Sequence, residues 1–103
     1  MLCAHTVRRL KPGAYDEFKE RFGPSPENAP EGWVRFTMLR NLANPDEVVT
    51  FVFFDGTLEE LERNQAQAGY EELRTSIDPL VDTVVANGVY EIVASLTTEG
   101  ASA

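Results

Sequence analysis

The sequence has few of the residues that build disulfides and metal sites. Its 103 residues include one cysteine, Cys3, and one histidine, His5. A single cysteine excludes a disulfide within these residues, and a single histidine leaves no spacing from which a zinc site can be built. We therefore expect no bound metal.

Basic residues are also scarce. Nine lysines and arginines stand against 17 acidic residues, which gives a net charge of -8. This charge repels the phosphates of nucleic acids and anionic membrane surfaces. No apolar run approaches the roughly 20 residues of a membrane-spanning helix, and the N-terminus lacks the apolar segment of a signal peptide. The sequence predicts a cytoplasmic protein that binds neither nucleic acid nor membrane.

Apolar residues make up 43% of the chain, which is ordinary for a globular protein. A chain of this length buries roughly two-thirds of its unfolded surface, enough for a real core. We expect a single domain over residues 1–96. Residues 97–103 are small and polar, which predicts a frayed tail.

The most apolar stretch of the chain predicts a strand. Residues Val48 to Phe54 are rich in β-branched and aromatic types on both alternating faces, so we expect this strand to be buried on both sides. A second strand, Trp33 to Leu42, precedes it across a turn-like segment. Together they predict an antiparallel hairpin, which we expect at the centre of the sheet.

Helical patterns flank this hairpin. Before it, Tyr15, Phe18 and Phe22 recur on one face of a short helix, after a first strand from Leu2 to Leu10. The proline-rich segment Pro24–Gly32 follows as a loop and candidate lid.

After the hairpin, Thr57 and Glu60 form a capping box that opens a helix. A second short helix ends near Pro79, and two extended segments follow at residues 81–86 and 89–96. Asn87-Gly88 between these segments fits either a two-residue hairpin turn or a bulge.

The element order βαββααβ predicts an α+β, ferredoxin-like fold: a four-stranded antiparallel sheet with helices on one face. The other face of the sheet is also apolar, and the chain has too few helices to cover it. We expect a second copy to cover it, so that a homodimer closes into an α+β barrel.

Several short motifs carry a family resemblance. They are Leu10-Lys11-Pro12-Gly13 with Tyr15-Asp16-Glu17-Phe18, Glu31-Gly32-Trp33-Val34, Leu39-Arg40-Asn41-Leu42, Asn44-Pro45-Asp46-Glu47, Gly69-Tyr70 and Asp78-Pro79-Leu80. In these the chain resembles the antibiotic-biosynthesis-monooxygenase-like (ABM) family of dimeric α+β barrels. That superfamily includes cofactor-free oxygenases of polycyclic aromatics, haem-degrading enzymes, isomerases and proteins without a known role.

The chain departs from parts of the family pattern. The quinone-forming oxygenases carry a tryptophan on the helix after the central strand, and the segment from Thr57 to Ala68 has none. Asn64 stands about where their helix asparagine lies. The chain has no histidine after His5, which argues against haem ligation of the kind the haem-degrading relatives use.

Six residues are candidates for chemistry. A cofactor-free oxygenase needs a base, and His5 is the candidate, with Asn64 as a hydrogen-bond donor. Substrate-binding candidates are Trp33, Arg35, Tyr70 and Arg74. Four of the six also have a structural interpretation: His5 as a partly buried strand histidine, Trp33 as core or dimer interface, Arg35 as an interface ion-pair partner, and Arg74 as a solvated residue paired with a neighbouring carboxylate.

Two functions remain open at this point. The first is a cofactor-independent monooxygenase that acts on a small aromatic or polyketide-like molecule in an apolar pocket between sheet and helices. The alternative is a non-catalytic dimeric barrel that binds a small apolar ligand or forms an assembly. The missing helix tryptophan and the isolated histidine favour this alternative.

Overall fold

The computed structural model describes residues 1–24 and 32–98. Most of the predicted lid Pro24–Gly32, and all but the first two residues of the predicted tail, therefore lie outside the described residues. The elements in chain order are β1 (Leu2–Leu10), α1 (Tyr15–Phe22), β2 (Trp33–Arg40), β3 (Glu47–Phe54), α2 (Leu58–Gln65), α3 (Ala68–Ile77) and β4 (Val81–Glu91). A 3₁₀ turn, Asp78–Leu80, joins α3 to β4.

The four strands form one antiparallel sheet in the order β2-β3-β1-β4. This order and the helices on one face confirm the predicted ferredoxin-like α+β fold. The expected position of the hairpin is wrong, however, because only β3 is central and β2 is an edge strand. The reason is that β1 pairs with both β3 and β4, and so takes the second central place.

The last strand also differs from the sequence prediction. It runs without a break from Val81 to Glu91, and residues 92–98 have no regular structure. Asn87 and Gly88 lie inside this strand, opposite Thr6 and His5, so they form no turn. The register shifts nearer the start of β4: Val7 pairs with Ala86 and Arg8 pairs with Val84, so Val85 is an extra residue. A bulge therefore exists in β4, but not at Asn87-Gly88.

The helix layer packs on one face of the sheet. Phe18 and Phe22 of α1 form a buried cluster with Leu10, Val48 and Ile77. Phe18 and Val48 are fully inaccessible to solvent. Along β3, buried residues alternate with half-buried ones, so only the face toward the helices is closed off within this chain.

The predicted capping box fixes the start of α2. The Thr57 hydroxyl accepts a hydrogen bond from the Glu60 amide at 3.2 Å, and the Glu60 carboxylate accepts one from the Thr57 amide at 3.1 Å. With the helix started at Leu58, residues three apart share a face. Leu61 and Asn64 consequently both point into the protein and are buried.

The other sheet face carries a broad apolar surface. We call it the open face; it consists of Cys3, His5 and Val7 on β1, Arg35, Thr37 and Leu39 on β2, Val49, Phe51 and Phe53 on β3, and Ala86, Gly88 and Tyr90 on β4. Tyr90 is 56% exposed and Leu39 is 48% exposed. None of the helices in the described ranges is long and apolar enough to cross a lipid bilayer.

Two leucines of α2 test this division between core and surface. Leu61 is fully buried, whereas Leu58 is 50% exposed. Leu61→Ala should lower the free energy of unfolding by about 2–5 kcal/mol because it leaves a cavity. Leu58→Ala, the matched control, should lower it by under about 1 kcal/mol. Urea denaturation measures both, and equal losses would contradict the packing described.

Candidate functional site

An irregularity in β2 turns Trp33 toward the helices. Trp33 pairs with Phe54 and Arg35 pairs with Phe53, so Val34 is an extra residue on the β2 side. Strict alternation would place Trp33 on the same face as Arg35. The bulge at Val34 instead puts it on the face of Phe36, toward the helices.

Asn64 of α2 holds the indole of Trp33. The Trp33 Nε1–H donates to Asn64 Oδ1 at 3.0 Å. Asn64 is only 6% exposed, so this bond satisfies a polar atom that water scarcely reaches. Phe36 and Tyr70 meet the indole edge-to-face, with ring centroids 5.3 and 5.9 Å away. These four residues form one connected wall.

This wall borders a cavity of about 260 Å³ between the sheet and the helices α2 and α3. That volume is slightly below the ~300–1,000 Å³ of small-ligand pockets, which favours a small ligand. Its lining combines aromatic and apolar side chains with a polar surface of about the same extent. The polar and charged lining residues are Thr6, Arg8, Thr50, Gln65, Tyr70, Arg74, Asp78 and Asn87.

Arg8 is the residue of this cavity that the sequence did not reveal. Its neighbour in sequence, Arg9, is exposed and pairs with Glu47 at 3.6 Å, and both arginines look like surface residues from the sequence. Because side chains alternate along β1, Arg8 instead shares the inward face with Ala4 and Thr6. Side-chain alternation along β1 was the one feature of the sequence that could have placed Arg8 on the inward face.

The electrostatics of the cavity depend on two arginines. Burial lowers the pKa of the Arg8 guanidinium from its ordinary value; Tyr70 and Asp78 raise it, and Arg74 lowers it. Arginine stays protonated despite such a shift. Burial raises the pKa of the Tyr70 phenol, against the opposing effect of Arg74 and Arg8. At neutral pH the cavity therefore offers two cations and a neutral phenol that can donate a hydrogen bond.

The structure brings together four of the six predicted site residues. Trp33, Tyr70 and Arg74 line the cavity, and Asn64 holds Trp33 from behind. The expected pairing of Arg74 with a neighbouring carboxylate is not found among the ion pairs of the described residues.

His5 and Arg35 lie on the open face, away from this cavity. His5 meets Tyr90 edge-to-face at 6.0 Å, and the Arg35 guanidinium lies 5.9 Å from the centre of the Phe53 ring. The physical reason is again alternation, since His5 shares its side of β1 with Cys3 and Val7. The roles predicted for these two residues stay predictions, and the cavity does not use them.

No three side chains of histidine, cysteine, aspartate or glutamate come together as a metal site within residues 1–24 and 32–98. The cavity lining contains a single carboxylate among its described residues, Asp78. The described part of the site thus offers two guanidinium groups, several hydrogen-bonding side chains and one carboxylate.

The hydrogen bond between Trp33 and Asn64 can be tested by a double-mutant cycle. Asn64→Leu leaves the indole N–H buried without an acceptor and should cost about 1–3 kcal/mol of stability. In a Trp33→Phe background the same change should cost measurably less, because no donor remains to be stranded. Urea denaturation gives the four stabilities, and additive effects would contradict the bond.

Comparison with known proteins identifies the fold. A scan against protein-family models finds no match, and a search of curated proteins finds none either. Among solved structures, the chain is similar to a mutant of SnoaB, a cofactor-independent oxygenase from Streptomyces nogalater. The TM-score is 0.79 and the identity 21%, over 94% of this chain and 97% of that one.

Two further structures are described as putative antibiotic biosynthesis monooxygenases. The one from Deinococcus radiodurans gives a TM-score of 0.78 at 14% identity, over 97% of this chain and 100% of that one. The one from Chloroflexus aurantiacus gives 0.75 at 14% identity, over 93% and 96%. These likenesses confirm the resemblance at the level of the fold: the chain has the fold of the ABM-like proteins.

Proposed function

We propose that this protein is a cofactor-independent oxygenase that acts on a small aromatic or polyketide-like molecule bound in the cavity between sheet and helices. The observation that carries the proposal is the cavity itself, walled by Trp33 and Tyr70 and supplied with fixed hydrogen-bond donors. The likeness to SnoaB, a cofactor-independent oxygenase, supports the same reaction class.

The chemistry needs no metal or organic cofactor. A ring CH₂ beside a carbonyl, as in an anthrone, loses a proton and becomes an enolate. The enolate gives one electron to O₂, and the resulting substrate radical and superoxide join at the same carbon. The peroxide anion so formed takes up a proton to give a hydroperoxide. The same carbon then loses its second proton as the O–O bond breaks, so that water leaves and a new carbonyl remains. One oxygen atom enters the product and the other leaves as water.

The residues of the cavity fit these steps. Arg8, Arg74 and the neutral Tyr70 phenol supply positive charge and a donor for the enolate oxygen, where negative charge develops. Asp78 is the carboxylate on the described cavity lining, and we assign it the role of proton acceptor. The aromatic side chains on the lining limit the water that would reprotonate the enolate before it reacts with O₂.

Oxygen uptake with anthrones and dihydroxynaphthalenes tests this assignment. Asp78→Asn should lower the rate by about 10²–10⁴-fold, as expected for loss of a general base. Asp82→Asn, an exposed neighbour on β4, should leave the rate unchanged. His5→Ala tests whether the open face, rather than the cavity, carries the reaction. Loss of uptake in His5→Ala alone, with Asp78→Asn fully active, would place the chemistry on the open face.

A second function is favoured by one observation: the sole histidine lies outside the cavity. Under this alternative the protein binds a small molecule without converting it. Ligand binding without oxygen uptake above the buffer blank, across the substrate panel, would favour this binding function.

We further propose that the protein is a cytoplasmic homodimer joined through the open face. Phe51 and Phe53 lie next to each other there, with ring centroids 5.6 Å apart, and both are only half-buried within one chain. An apolar face of this kind is stabilised by burial against a second copy.

Light scattering tests the dimer. At micromolar concentration the mass should be twice the 11.5 kDa of one chain. Phe51→Glu should shift it toward the monomer because it places a charge in the buried interface. Leu42→Glu, at a 98% exposed loop position, is the control and should leave the dimer intact. A monomeric mass for the unmodified protein would contradict the proposal.

A further inference from the structure

Arg8 is a partly buried cation without a carboxylate partner among the described residues. The ion pairs found within residues 1–24 and 32–98 are Arg9 with Glu47 and Arg21 with Glu17. Withdrawing a guanidinium from water is costly unless its charge is compensated. Asp78 attracts the Arg8 guanidinium from beyond ion-pair distance and Arg74 repels it, so the charge of Arg8 is compensated only in part. This favours a ligand that supplies further negative charge.

Arg8 lines the cavity, and one of its N–H groups has a side-chain acceptor among the described residues. Nη1 donates to the buried Thr50 hydroxyl at 2.9 Å. The guanidinium lies 5.1 Å from the ring centre of Phe22 and 5.8 Å from that of Phe18, which holds its plane in place. No fully buried side-chain nitrogen or oxygen of the described residues lacks a partner. The remaining N–H groups of Arg8 therefore reach the open space of the cavity.

The other charged residues of the cavity lining also favour binding of an anion. Arg74 adds a second positive charge to the lining, and Asp78 is the described carboxylate that offsets part of it. The chain as a whole has a net charge of -8. Two of the nine basic residues of this acidic chain thus line the cavity beside the aromatic wall.

We propose that the cavity binds a flat aromatic carboxylate. Arg8 takes the carboxylate through its planar fork of N–H groups, Arg74 adds attraction, and Trp33 and Tyr70 contact the ring. The inference rests on the proposed function in one respect, because it names the oxygenase substrate as an aromatic carboxylic acid. The binding it describes does not depend on turnover.

Calorimetry with two matched probes tests the proposal. 2-Naphthoate carries the carboxylate, and 2-naphthamide is its neutral counterpart of nearly the same shape. The unmodified protein should bind 2-naphthoate about tenfold or more tightly than the amide. Arg8→Met should remove most of this preference and leave only the weaker attraction of Arg74. Arg9→Met, its neighbour on the opposite face, should retain it.

A conservative variant guards against a folding defect. Arg8→Lys keeps the charge but loses the fork, so its preference should lie between those of the unmodified protein and Arg8→Met. Circular dichroism and thermal unfolding establish that each variant is folded. Equal affinity for both probes, absence of binding to both at millimolar concentration, or loss of the preference in Arg9→Met would overturn the proposal.

The two proposals fail in different ways. Preferential binding of the carboxylate, without oxygen uptake in the presence of any aromatic acid, would support the anion site and rule out the oxygenase. Rapid oxygen uptake with neutral anthrones, together with equal affinity for naphthoate and naphthamide, would support the oxygenase and rule out the anion site.

Discussion

Side-chain alternation along β1 decides which groups the two faces of the sheet receive. β1 is a central strand, between β3 and β4, so its side chains lie in the middle of both faces of the sheet. Ala4, Thr6 and Arg8 point toward the helices and line the cavity, while Cys3, His5 and Val7 point away. A shift of one residue in this register would exchange the two sets. The cavity would then receive a histidine and a thiol in place of a guanidinium and a hydroxyl.

The bulge at Val34, in the edge strand β2, likewise determines on which face of the sheet Trp33 lies. It turns Trp33 to the helix side, where Asn64 accepts its N–H and Phe36 and Tyr70 support its ring. The capping box at Thr57 sets the start of α2 and thereby the direction in which Asn64 points. A local hydrogen-bond pair and one irregular strand residue thus combine to build the aromatic wall.

The sequence allowed accurate prediction wherever a local pattern determines the structure. The apolar run from Val48 to Phe54 and the Thr57 cap led to the correct elements, and the element order led to the correct fold. Local patterns could not show that β1 inserts beside β3, since strand order depends on contacts between distant residues. For the same reason the span of β4 and the absence of a turn at Asn87-Gly88 were missed. Arg8 was missed because charge suggests exposure, whereas its strand position buries it.

The central claim is that the ligand occupies the cavity on the helix side of the sheet. Trp33 is the sole tryptophan of the chain and lines that cavity, so its fluorescence reports on this location alone. The most direct measurement is quenching of this fluorescence by acrylamide with and without saturating 2-naphthoate, with excitation and emission corrected for the probe. The account predicts that the bound probe shields Trp33 and lowers the quenching constant. Unchanged quenching, with binding shown by calorimetry, would place the ligand elsewhere and contradict the account.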